Sequence, residues 1–162
     1  VSNGKVTAKG VGRATITAYT TGGKNVKCTV TVKGKISDSS ISAIKTQSYT
    51  GKAVSPAPAV TYGGKKLVKN TDYTMSYSKN TAIGQASVKI TGKGLYKGTK
   101  TVNFNIRPAT VTELKVSSTG EKSVKLSWKK VTGADSYAIY RYDSTSKKWQ
   151  RITWTKKSSR RA

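Results

Sequence analysis

Between Ala86 and Ile106 the chain reads ASVKITGKGLYKGTKTVNFNI. Ala86, Val88 and Ile90 alternate with polar residues, and after a glycine-rich interruption Val102, Phe104 and Ile106 do so again. Side chains on a strand point alternately to its two faces, so each run predicts a strand with one buried face. The interruption carries Gly92-Lys93-Gly94, a turn signal. The same period extends along the chain. Tyr73, Met75 and Tyr77 repeat it, as do Cys28, Val30 and Val32, and later Val124, Leu126 and Trp128 with Lys125, Ser127 and Lys129 between them. Thr, Val, Ile and Tyr suit a pleated surface. Further turn signals stand at Asn3-Gly4, Gly22-Gly23, Gly63-Gly64 and Gly133. No stretch keeps helical apolar spacing beyond a turn or two, so the predicted fold is all-β, built of tandem sandwich modules.

Composition bounds the chemistry. The 162 residues include 31 Lys and Arg against 6 Asp and Glu, a formal charge of +25, and 42 are Thr or Ser. There is no His, so zinc sites needing His and Cys, His-based triads and Cys–His dyads are excluded. Cys28 is the single cysteine and has no partner for a disulfide within the chain. No run of about 18 apolar residues is present, so no membrane insertion is expected. Val1-Ser2-Asn3-Gly4-Lys5 lacks the charged and apolar regions of a signal peptide.

Two boundaries follow from the punctuation. Lys33-Gly34-Lys35 closes the first set of apolar runs, and Arg107-Pro108 forms a short linker, because proline holds the chain extended. The expected modules are residues 1–34, 35–107 and 108–162. A sandwich of about 100 residues needs roughly seven strands, of which the first piece supplies about three and the last about four. The outer two are therefore expected to be incomplete. The first is too short to bury a core of its own, so it must lean on a neighbour or stay partly frayed.

Three resemblances accompany these boundaries. Asn3–Ala8 (NGKVTA), Gly12–Ala18 (GRATITA) and Cys28–Val32 (CTVTV) resemble, in order, the C-terminal part of a bacterial Ig-like domain of group 2. That likeness implies that Cys28 is a small apolar core residue. Tyr49-Thr50-Gly51-Lys52, Asp72-Tyr73-Thr74, residues 77–81 (YSKNT) and residues 92–99 (GKGLYKGT) resemble an adhesin-like repeat of large secreted Gram-positive proteins, complete here. Residues 124–128 (VKLSW) and 133–141 (GADSYAIYR) resemble the first half of a fibronectin type III domain, with Trp128 as its core tryptophan. Together they imply a multimodular protein of the Gram-positive cell surface, extracellular or wall-associated, with this chain a monomeric stretch of something longer.

Motifs for chemistry are scarce. The glycine-rich stretch 92–99 does not match a phosphate loop, since Thr99 follows Gly98 where a lysine is required and no helix follows; it reads as a turn. Asp38, Asp72, Glu113, Glu121, Asp135 and Asp143 stand singly, mostly at turn positions, without the pairing of a glycosidase or the clustering of a calcium loop. Ser and Lys are too abundant for a Ser–Lys pair to be distinctive. No catalytic residue, metal ligand or cofactor is expected.

The basic residues lead to a partner class. Residues 1–37 hold seven and no acid, and from Arg141 onward eight bases face Asp143 alone. Such charge attracts polyanions: wall teichoic acid, acidic glycans or, without selectivity, nucleic acid. Lys far outnumbers Arg, whereas bidentate base recognition favours Arg. The bland reading is a solvated surface whose lysines discourage edge pairing. Trp149 and Trp154, among Lys147, Lys148, Arg151, Lys156 and Lys157, are the candidate glycan or polyanion contacts. Against that, Trp149 could cover a sandwich edge and Trp154 be bared by the shortness of the module. Tyr49, Tyr62, Tyr73, Tyr77 and Tyr96 are expected in core and hairpin packing. The leading expectation is a structural spacer that displays or attaches a larger protein near the wall; the alternative is a carbohydrate- or polyanion-binding accessory module of a secreted wall-active enzyme. A nucleic-acid protein rests on charge alone and ranks last.

Overall fold

A computed structural model describes residues 5–120 and 123–161. The turn expected at Asn3-Gly4 and the acid Glu121 lie outside them. The described chain is all-β, as the alternation predicts. Its strands are β1 (Gly12–Tyr19), β2 (Asn25–Val32), β3 (Gly34–Lys35), β4 (Ser40–Ile41), β5 (Gln47–Ser48), β6 (Val60–Tyr62), β7 (Lys65–Lys66), β8 (Tyr73–Ser78), β9 (Gly84–Gly92), β10 (Tyr96–Lys97), β11 (Thr99–Arg107), β12 (Lys115–Gly120), β13 (Ser123–Ser127), β14 (Tyr137–Asp143), β15 (Lys148–Thr155) and β16 (Ser159–Arg161). A 3-10 turn, Ile36–Asp38, joins β3 to β4. The chain divides into two compact units. Val1–Lys45, Ser55–Ser78 and Ala86–Phe104 form the first; Thr46–Val54, Lys79–Gln85 and Asn105–Ala162 form the second.

In the first unit β8 pairs antiparallel with β9, Met75 opposite Ile90 and Tyr77 opposite Val88, and β11 flanks β9 on its other side. Val88 and Ile90 are wholly buried and Lys89 between them is exposed, the period-two pattern made physical. They meet Ile36, Val60, Leu67, Tyr73 and Tyr96 in one apolar cluster. Tyr62 stands edge-on to Tyr96 at 5.4 Å, an arrangement that adds about 0.5–1.5 kcal/mol beyond the area buried. The glycine-rich stretch is a turn. The amide of Gly92 donates to the Gly98 carbonyl, that of Lys93 to Asp72 and that of Tyr96 to Lys93. These donors are committed to backbone carbonyls and do not converge on an anion. Gly92 itself is required by close approach: a Cβ there would lie 2.7 Å from the Lys97 nitrogen and 2.8 Å from the Tyr96 carbonyl carbon.

β1 and β2 form a two-stranded hairpin in the same unit, from Gly12 opposite Val32 to Tyr19 opposite Asn25. Ala14, Ile16 and Ala18 share a face with Val30, Cys28 and Val26, because residues directly opposite project to the same side. No other described strand pairs with β1 or β2. Val26 is 69% exposed, and Cys28 is exposed too. The core position implied for Cys28 by the Ig-like resemblance is thus corrected: no second layer covers that face among the described residues. Of the described residues up to Val32, Val11, just before β1, is the one that packs on the unit's core cluster.

In the second unit β5 runs parallel to the end of β11, Gln47 beside Ile106. β12, β13 and β16 form an antiparallel sheet, and β14 and β15 a hairpin. Trp128, Val131, Tyr137 and Ile139 make the core, with Trp128 edge-on to Tyr137 at 5.1 Å. The Tyr137 hydroxyl accepts the Val131 amide at 2.8 Å, which joins β14 to the loop after β13.

Candidate functional site

The hairpin β14–β15 carries the residues that sequence reasoning placed in recognition. Asp143 builds its turn by accepting the Thr145 amide at 3.0 Å, the Ser146 hydroxyl at 2.7 Å and the Gln150 side-chain amide at 3.3 Å. Lys147 completes the turn in a left-handed conformation, φ +52°. The bond from Ser146, with that from Thr145, holds the Asp143 carboxyl below its ordinary value of 3.8. A carboxyl with a lowered folded value stabilises the turn above its unfolded value and loses that contribution as pH falls through the folded one. Protection of the Thr145 and Ser146 amides, measured relative to their intrinsic exchange rates, is therefore expected to fall on acidification below about pH 3.8, ahead of the β14–β15 ladder, and Asp143→Ala to show the lower protection already at neutral pH.

Two faces follow from the register. Tyr137 lies opposite Thr155 and Ile139 opposite Thr153. Tyr137, Ile139 and Thr155 are buried and Thr153 is half-buried, so this side faces the core. On the other side Ala138 lies opposite Trp154, Tyr140 opposite Arg151 and Tyr142 opposite Trp149. Trp149 and Trp154 are five residues apart, an odd spacing that would send them to opposite faces of a regular strand. The irregularity between Ile139 and Tyr140 inserts one extra residue, Ile152, on β15 and restores the phase. Both tryptophans then point outward, 68% and 53% exposed, with Tyr140 and Tyr142 each 49% exposed. Tyr142 and Trp149 lie 5.3 Å apart with their rings inclined at 58°, and the Arg151 guanidinium sits 5.1 Å from the Trp154 ring centre.

The structure therefore brings Trp149, Arg151 and Trp154 together. Lys148 lies opposite Asp143 and by register belongs to the other face, Lys147 is in the turn, and Lys156 and Lys157 follow the strand. Tyr140 and Tyr142 were missed by sequence reasoning. Their signal was present, since they alternate out of phase with Tyr137 and Ile139 and so had to face away from the core.

Adjoining this hairpin, an open cleft of about 860 Å³ in the second unit is lined by Pro108, Leu126, Trp128, Val131, Tyr137 and Ile139, and Ala138 and Tyr140 of β14 also border it. The buried Trp128 Nε1 has no hydrogen-bond partner among the described residues. Among the described residues no three His, Cys, Asp or Glu side chains converge where they could hold a metal ion. No described helix is long and apolar enough to cross a membrane.

The charge is displayed on both units. Every Lys and Arg whose side chain is described is exposed, apart from half-buried Lys100. The Lys100 ammonium donates to the Ser37 and Ser39 carbonyls at 3.0 and 2.6 Å. Lys129 meets Glu113 at 3.2 Å, an exposed pair of little energetic weight. Six acids cannot offset 31 bases, so the surface field stays positive. Compared with known proteins, the chain matches no family model, no curated protein and no solved structure.

Proposed function

We propose that this chain is a non-catalytic, structural stretch of an extracellular protein at a Gram-positive cell surface, which spaces or attaches a larger protein near the wall and is held there by general attraction to anionic polymers. The observation that carries the reading is the exposure of basic side chains on every part of the described chain. A charge spread in this way produces a long-range field rather than a shaped pocket, and its attraction is broad and salt-sensitive. The Ig-like, adhesin-like and fibronectin-like resemblances support the surface setting. Stiff β-modules joined by short extended segments would set the distance between wall and cargo.

Titration with duplex DNA and with polyphosphate over a salt series tests it. Both polymers are expected to bind at low salt with similar affinity, and to be released together as salt rises. A single polyanion preferred strongly over the other at low salt would contradict a general tether.

A further inference from the structure

The outward face of β14–β15 has features that a diffuse positive field does not require. Four aromatic side chains share it, each about half exposed or more. Contiguous apolar area of this kind on a soluble surface marks a contact site. From the pairing, the face is a strip of three rungs: Tyr142 with Trp149, Tyr140 with Arg151, and Ala138 with Trp154. Successive rungs on one strand face are about 7 Å apart, so the two tryptophans are separated by about 14 Å along the ribbon. An extended polymer matches a strip of that length better than a compact small molecule does.

The middle rung sets the chemistry. Arg151 rests against the Trp154 ring, which restricts the guanidinium while leaving donors free for a planar anion. Its fork matches a carboxylate held by two parallel hydrogen bonds. Asp143 does not oppose an anion there, because it lies at the turn, on the other face by register, with its oxygens engaged by Thr145, Ser146 and Gln150. The rings themselves disfavour intercalation. At 58° to each other, Tyr142 and Trp149 leave no parallel slot between them for a nucleobase, while the exposed Trp149 ring can take the C–H face of a pyranose. A uronic acid carries that face and a carboxylate on one residue. We propose that the outward face of β14–β15 binds a carboxylate-bearing polysaccharide, Trp149 and Trp154 stacking on sugar rings and Arg151 engaging a carboxylate between them. This goes beyond an electrostatic tether, since stacking outlasts the screening that removes long-range attraction.

The test uses the full chain with polygalacturonate, neutral dextran and single-stranded polyuridylate, at low salt and at roughly 1 M, where the screening length is about 3 Å. Polygalacturonate is expected to remain bound at high salt while polyuridylate is released. Trp149→Ala is expected to weaken the high-salt affinity about tenfold or more, Trp149→Phe to retain most of it, and Arg151→Lys to lower it without altering the weak binding of dextran. Lys27→Gln on β2 should leave it unchanged. Trp149 is exposed, so its replacements are compatible with folding, which the dispersion of the amide spectrum checks. Release of polygalacturonate at high salt, equal high-salt affinity of Trp149→Ala and the unaltered chain, or tighter high-salt binding of polyuridylate would each overturn the proposal. None of these outcomes bears on low-salt binding of polyphosphate, which tests the tether by itself.

Discussion

Affinity for duplex DNA is expected to fall about 10³-fold between roughly 50 and 200 mM salt, if the contact is electrostatic and engages about six bases. The end of the second unit offers six described cationic side chains in one stretch: Arg141, Lys147, Lys148, Arg151, Lys156 and Lys157. Each phosphate neutralised releases condensed counterions, so the logarithm of the binding constant falls linearly with the logarithm of salt, with a slope near −0.9 per contact. Six contacts give a slope of about −5. The seven bases of residues 1–37 offer a second, sparser region, so removing either set should lower the slope in proportion without abolishing binding. Fluorescence anisotropy of labelled DNA across the series measures it. A slope near zero would mean that contacts other than charge carry the affinity.

Truncation of the first unit's core should have the largest effect on stability. Ile90 is fully buried, faces Met75 across the β8–β9 ladder and belongs to the cluster with Val88 and Tyr96. Ile90→Ala removes buried methylenes and leaves a cavity, which costs about 2–5 kcal/mol. A single domain holds about 5–15 kcal/mol in all, so much of the unit's margin is at stake. Ile152→Ala on exposed β15 is the contrast, expected within about 0.5 kcal/mol. Urea unfolding followed by tyrosine fluorescence compares the two. Equal midpoints would mean that the β8–β9 core does not limit stability.

Much of this was legible from residue order. The alternation of Val88-Lys89-Ile90 and of Val102, Phe104 and Ile106 located β9 and β11, and Trp128 is buried where its spacing with Val124 and Leu126 put it. Asp72 and Asp143 occupy turns, Asp72 accepting the Val68 amide at 2.9 Å. The two-residue strands β3, β5 and β10 were not legible, because a period of two needs several residues to register, and each of these pairs is set by contacts far away in sequence. Cys28 alternates like a core residue, but alternation shows only that a face is apolar, and burial depends on a covering layer that no local pattern encodes. The shared face of Trp149 and Trp154 depends on the extra residue in β15 opposite Ile139 and Tyr140. Read as a regular strand, the spacing separates them; the pairing brings them together.

The most direct test of the surface role is binding of the full chain to isolated Gram-positive cell walls, with and without their teichoic acid, beside an unrelated protein of similar charge. Binding at low salt is expected to disappear largely with the teichoic acid, to fall steeply with added salt and to be matched by the charged control. Binding that survives both removal of teichoic acid and high salt, that persists in Trp149→Ala and that the control does not share would contradict a general electrostatic tether.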